Sequence, residues 1–177
     1  DGRFLVVEDE RSHPFSLVTI SAAGDVSSTP LLPPADDDAA WKLDDLEALA
    51  LDRAGYVYAL TSHSRDADGD EKKARDKLVR FRIEGGRMVE PMLVRGLKPA
   101  LVRAHPALAA AAEMPDVKSS GGFNIEAMAI SADGQQLLVG FRSPLLGQRA
   151  IIACVENPAA IFERCEPPRI ARDLITL

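Results

Sequence analysis

Asp45-Leu-Glu-Ala-Leu-Ala-Leu-Asp-Arg-Ala-Gly-Tyr-Val-Tyr-Ala-Leu, residues 45–60, returns as Asn124-Ile-Glu-Ala-Met-Ala-Ile-Ser-Ala-Asp-Gly-Gln-Gln-Leu-Leu-Val, residues 124–139. The offset of 79 positions sets Asp45 on Asn124 and Glu47 on Glu126; one extra residue at Gln135-Gln136 makes it 80 beyond that point. A partial third copy opens the chain, where Asp1-Gly-Arg-Phe-Leu-Val-Val lines up with Asp133-Gly-Gln-Gln-Leu-Leu-Val. Self-similarity at a fixed period is the signature of a repeat architecture and outranks any local secondary-structure cue. The first copy lacks its front half, so the sequence reads as starting inside a repeat.

Each copy runs through the same grammar. A near-continuous apolar segment carrying one Glu suits a strand buried on both faces. A Gly-containing turn at Ala54-Gly55 or Asp133-Gly134 and a second apolar run then make a hairpin. A third strand is expected over 15–21, 77–84 and 149–156, and a fourth over 26–31 and 87–94, with the last copy's fourth strand running toward Leu177. In Leu78-Val-Arg-Phe-Arg-Ile the alternation of apolar and charged residues predicts one wet face, nearer a sheet edge. Four strands per repeat, buried first and more polar outward, predict an all-β fold of β-propeller-like four-stranded antiparallel blades. The blades fall at about 1–32, 43–95 and 122–177 of a single partial propeller domain. Propellers close with about four to eight blades, so the remaining blades are expected from a longer parent chain or from a homo-oligomer. Residues 96–121 differ in character: 98–101 and 107–113 are good helix formers, with Pro99 and Pro106 where first-turn prolines are tolerated, so a small helical insertion is expected over about 97–118. Residues 30–38, rich in Pro and Asp, read as a linker, and 65–76 as a charged loop.

Composition narrows the function. Of the 177 residues 46% are hydrophobic, enough for a folded core, and 27 acidic against 21 basic side chains give a net charge of −6. That balance argues against the broad basic footprint of a nucleic-acid surface. No stretch reaches the roughly 18 uninterrupted apolar residues of a membrane span. High Ala, Arg and Asp with 5% aromatics suggests a bacterial origin. The compartment, whether cytoplasmic, periplasmic or secreted, is left open. Cys154 and Cys165 lie across a proline-containing bend and either pair or stay free.

The chemistry rests on oxygen donors. A carboxylate inside an apolar strand costs several kcal/mol unless it is paired, so Glu47 and Glu126 at equivalent positions need partners. Two readings stand: carboxylates at a channel mouth that hold a cation or polar ligand, or structural acceptors tied to backbone amides or to an Arg. Asp45 and Asn124, two residues earlier, are expected on the same side as their Glu by strand periodicity. Such donors suit a hard cation such as Ca²⁺, with Glu47 and Glu126 as its ligands. At the far end of the hairpin, Thr61-Ser-His-Ser-Arg and Phe141-Arg-Ser-Pro are equivalent polar turns. They add His63, as a base beside Ser62 and Ser64 or as a ligand group, and Arg142, as an anion clamp or as a salt-bridge partner of a Glu. The run from Asp66 to Glu71 lacks the downstream Glu of a calcium loop, since the twelfth position is Lys77. His13 and His105 show no metal spacing, and Trp41 is expected to pack between blades.

At Asp45-Leu-Glu-Ala-Leu-Ala, Thr61-Ser-His-Ser-Arg and Asn124-Ile-Glu-Ala-Met-Ala…Leu-Leu-Val-Gly-Phe-Arg-Ser-Pro-Leu, over most of 43–160, the chain resembles a bacterial family of propeller proteins whose domain has no assigned function. It is similar, more loosely, to propellers of the esterase-like phytase group, whose Asp/Asn-x-Glu-Gly-Leu/Met-Ala strands match here with Ala48 and Ala127 in the Gly position. The resemblance implies a propeller and, through the phytase group, calcium and phosphate esters. The expected function is therefore a module that binds or scaffolds a small polar ligand, a cation or a protein; the alternative is a calcium-assisted phosphoesterase or esterase.

Overall fold

The computed structural model describes residues 2–8, 14–33, 41–115 and 121–177. His13 and most of the predicted 30–38 linker lie outside the described residues. Three antiparallel sheets follow one another along the chain, each with its strands in sequence order. The first holds β1 (Gly2–Val7), β2 (Phe15–Ile20) and β3 (Val26–Pro30); the second β4 (Leu46–Leu51), β5 (Val57–Thr61), β6 (Leu78–Glu84) and β7 (Arg87–Val94); the third β8 (Asn124–Ile130), β9 (Leu137–Leu146), β10 (Arg149–Val155) and β11 (Ile175–Thr176). This is an all-β partial propeller, and the sequence repeat is its sheet repeat. Between the second and third sheets come the helices α1 (Leu97–Ala104) and α2 (Pro106–Ala112), with Pro106 at the first position of α2, where its missing N–H costs nothing.

The repeated hairpin turns use equivalent residues. Asp52 Oδ1 accepts the Tyr56 amide at 2.8 Å, and in the third sheet Ser131 Oγ accepts the Gln136 amide at 2.9 Å, one residue further on. The extra residue at Gln135-Gln136 is thus absorbed in the turn and leaves the strand register intact. Gly55 and Gly134, at φ 86° and 71°, supply the left-handed backbone that these turns require.

Two apolar cores separate the sheets. One joins the first and second sheets through Phe15, Leu31, Val79 and Phe81, with Phe15 edge-on to Phe81 at 5.0 Å and Trp41 packed against it. The larger joins the second and third sheets, and α1, α2 and the phenyl ring of Phe162 complete it.

Two expectations are corrected. First, β5 is buried throughout, whereas Glu126, Ala127 and Ala129 of β8 are exposed, so the Glu-bearing strands are not buried on both faces. Second, Arg80 of β6 is buried rather than wet. A helix that the sequence reading did not foresee, α3 (Pro158–Glu163), covers it, and its guanidinium lies between the rings of Tyr56 at 4.3 Å and Phe162 at 4.7 Å. The last copy's fourth strand is found where it was expected, near Leu177, as the short β11 paired with β10. Of the two alternatives open for the cysteines, the second holds: Cys154 and Cys165 are both free, the first buried and the second exposed.

Candidate functional site

The equivalent strands β4 and β8 lie against each other, and the Ile125 amide donates to Ser62 O at 2.9 Å across the junction. Each carries a register irregularity at its Glu, between Leu46 and Ala48 and between Asn124 and Ala127. A bulge redirects the side chain it carries, and here it frees both glutamates from strict alternation. Glu126 Oε1 accepts from Arg142 Nη1 at 2.8 Å and from Asn124 Nδ2 at 3.3 Å. That hydrogen bond, and more weakly the charge of Glu47, raises the Arg142 guanidinium above its usual pKa. Glu47, Asn124, Glu126 and Arg142 therefore share one electrostatic neighbourhood at the β4–β8 junction. Asn124 spends its amide N–H on Glu126, while its Oδ1 is buried and has no hydrogen-bond partner among the described residues. The stretch around Arg142 is not a turn, because β9 runs unbroken to Leu146.

Asp45 and His63 belong to a second constellation. Asp45 precedes β4 with φ 61°, a left-handed conformation that only Gly, Asn and Asp adopt readily, and this breaks the two-residue periodicity expected to align it with Glu47. Its Oδ2 instead accepts from Ser62 Oγ and from Ser64 Oγ at 3.0 Å and forms an ion pair with Arg75 Nη1 at 3.0 Å. Arg75 Nε also donates to Asp44 at 2.9 Å. The two serines flanking His63 are thus committed to Asp45, and no Ser–His pair forms. His63 is wholly buried with φ 56°; its Nδ1 bonds Thr61 O at 2.8 Å, and its Nε2 lies 3.3 Å from Asp76 Oδ1 without forming a hydrogen bond. Burial drives the imidazole pKa below its usual value, against the opposing pull of Asp76.

The six residues singled out in the sequence thus divide into Glu47, Asn124, Glu126 and Arg142 on one side and Asp45 and His63 on the other. Arg75, Asp76 and Lys98 escaped the sequence reading, since nothing in a charged loop or a short helix marks one cation or carboxylate above its neighbours. The Asp66–Glu71 run closes on itself: Asp66 Oδ1 accepts the amides of Asp68 and Asp70, and Lys72 pairs with Asp66 at 2.7 Å. Among the described residues no three His, Cys, Asp or Glu side chains come together as a metal cage. The donors at the β4–β8 junction are two carboxylates and one amide oxygen, the hard oxygen chemistry that Ca²⁺ takes, although Ca²⁺ needs six to eight oxygens and water or ligand would have to complete the shell.

Stacked antiparallel sheets in chain order, with acidic strands meeting at their junction, define a propeller-type protein. The chain belongs to the phytase-like family, described as the esterase-like activity of phytase, whose model matches residues 1–165. A solved structure of a protein from Lactobacillus plantarum is similar at 12% identity and a TM-score of 0.45 over 99% of this chain; the chain spans 36% of that protein's length. None of the curated proteins compared matches it. No helix among the described residues is long and apolar enough to cross a membrane.

Proposed function

We propose that the protein is a binding propeller whose β4–β8 junction holds a hard cation, or a small polar ligand through one. The observation that carries this reading is the buried, unpartnered Oδ1 of Asn124 beside Glu126. A buried acceptor without a donor costs about 1–3 kcal/mol, and a cation removes that cost while drawing on the charge of Glu47 and Glu126. Glu47, Asn124 and Glu126 would hold Ca²⁺, which would supply Lewis-acid polarisation of a ligand oxygen. Arg142, whose side chain is 58% exposed, competes with the cation for Glu126 and is placed to meet an anionic ligand group. The remaining blades of the ring would come from further chain or from a second copy, which light scattering on the purified chain distinguishes.

The test is calorimetric titration of Ca²⁺ into metal-stripped protein and into Glu126→Gln and Asn124→Ala. Saturable binding weakened at least tenfold in both variants supports the site. Absence of saturable heat, with both variants merely less stable, makes the glutamates blade-to-blade acceptors.

Membership of the phytase-like family favours a second reading, hydrolysis of phosphate or carboxylic esters at the same junction. There the exposed Arg142 would meet the charge developing on the ester. Ca²⁺-dependent release of nitrophenol from its phosphate or acetate ester, lost in Arg142→Ala, supports turnover; Ca²⁺ binding without release leaves a binding module.

A further inference from the structure

Outside that junction lies a cavity of about 510 Å³ between the 65–76 loop and the helices α1 and α2. None of Glu47, Asn124, Glu126 or Arg142 lines it. Its wall carries Arg65, Lys72, Lys73, Arg75 and Lys98 against Glu71, Asp76 and Glu113, a basic lining on a chain whose net charge is −6. Most of these cations are committed: Arg65 donates to the carbonyls of Ala112 and Gly69, Lys72 pairs with Asp66, and Arg75 with Asp44 and Asp45. Lys98 shares Glu71 at 2.9 Å, and Lys73 is exposed at the rim.

The floor is what makes this a site rather than a charged surface. Thr61 O can only accept, so His63 Nδ1 donates to it; burial favours the neutral ring, in which Nε2 is an acceptor facing Asp76 Oδ1. These two buried atoms lie 3.3 Å apart, and neither has a hydrogen-bond partner among the described residues. The ring is wholly buried while the Asp76 side chain is 35% exposed, so Asp76 is the member that a ligand meets first. Lysines above and orphan acceptors below call for a ligand with both characters.

We propose that this cavity binds a small oxyanion that carries its own proton donor, a hydrogen phosphate or a hydroxy acid, with the anionic oxygens on Lys98 and Lys73 and the O–H donated to Asp76. This inference is independent of the β4–β8 reading. A site built around a donor rejects the isosteric anion that lacks one, because its buried acceptors are then left unpaired.

The experiment titrates four probes into the full chain at pH 7: inorganic phosphate against sulfate, and glycolate against acetate. Saturable binding of phosphate or glycolate, at least tenfold tighter than its donorless counterpart, is expected, and whichever pair discriminates identifies the ligand class. Asp76→Asn, whose amide can donate to either anion, should bring the ratio close to one, while Lys98→Gln should weaken both members of the pair together. Lys73→Gln, at an exposed position where folding is not at stake, should also weaken both members of the pair together. No saturable binding of any probe, equal binding within both pairs, or a ratio unchanged in Asp76→Asn overturns the proposal.

Discussion

Asp45 shows how a single carboxylate organises the end of a blade. It accepts from two serines and pairs with Arg75, so that one group ties both ends of the Ser62–Ser64 segment to the start of β4. Its left-handed backbone and its bonding both suit Asp, and Asn would keep the first while losing the charge. Asp45→Ala should therefore cost about 2–3 kcal/mol of unfolding free energy, the scale of losing charge-assisted hydrogen bonds at a half-buried site. Asp44→Ala, which removes only the more exposed partner of Arg75, should cost less than about 1 kcal/mol. Urea titrations of both variants measure the difference, and equal costs would mean that Arg75, not Asp45, is the organising group. In the sequence Asp45 was visible as the partner of Asn124, yet its direction was not, because periodicity assumes a regular strand and the bulge that begins at Leu46 ends that assumption.

Packing between elements is set by small side chains and by one buried cation. A Cβ built on Gly140 of β9 would lie 2.9 Å from the Cβ of Ala127 on β8, a contact that real side chains do not make. Gly140→Ala should accordingly cost about 1–3 kcal/mol through overpacking. Ala127→Gly in the same chain should recover part of that loss, a coupling that a double-mutant cycle reads directly; strictly additive costs would place the strain elsewhere. On the other side of the molecule Arg80 ties β6 to α3 through the rings of Tyr56 and Phe162 and reaches Glu163 at 3.7 Å. Its Nε has no partner, so its worth lies in packing and in its contact with the rings. Arg80→Met should thus be milder than Arg80→Ala, which opens a cavity and should cost about 2–4 kcal/mol, with hydrogen exchange of α3 accelerated first. The alternation of Leu78-Val-Arg-Phe-Arg-Ile could not reveal this. Alternation reports which side chains share a face, not whether a helix 80 residues later covers that face.

For the whole molecule, what was legible was whatever repeats, together with the one insertion whose helix formers and first-turn prolines mark it locally. Equivalent hairpins, their turn residues and the glutamates at matching positions could all be read by laying one copy on another, and the sheets follow them. Features present in one copy only, α3, the short β11 and the approach of Asp76 to His63, had no second instance to expose them and depend on contacts between distant segments. That same non-repeating loop gives the fold a pH limit. Burial keeps the His63 imidazole pKa below its ordinary value of 6.5, with Lys98 acting in the same direction and with Asp76 and the Thr61 carbonyl opposing. The unfolded chain therefore takes up a proton at a pH where the folded one refuses it, and stability rises with pH wherever the unfolded state binds more protons. The His63 contribution is complete above about pH 6.5 and is lost progressively as the pH falls from there toward the folded value. The carboxylates held low by their partners, Asp66 by Lys72, Glu71 by Lys98 and Glu166 by Arg164, act in the same direction only further down, below the ordinary carboxylate range of 3.8 to 4.5. Urea midpoints measured from about pH 8 to pH 5 should fall below about pH 6.5 in the native chain. In His63→Gln, which cannot titrate, that fall should be much shallower at every pH above the carboxylate range. A native curve that stays flat down to pH 5 would mean that Asp76 wins over burial and holds the ring protonated, with the charged pair rather than the neutral one at the floor of the cavity.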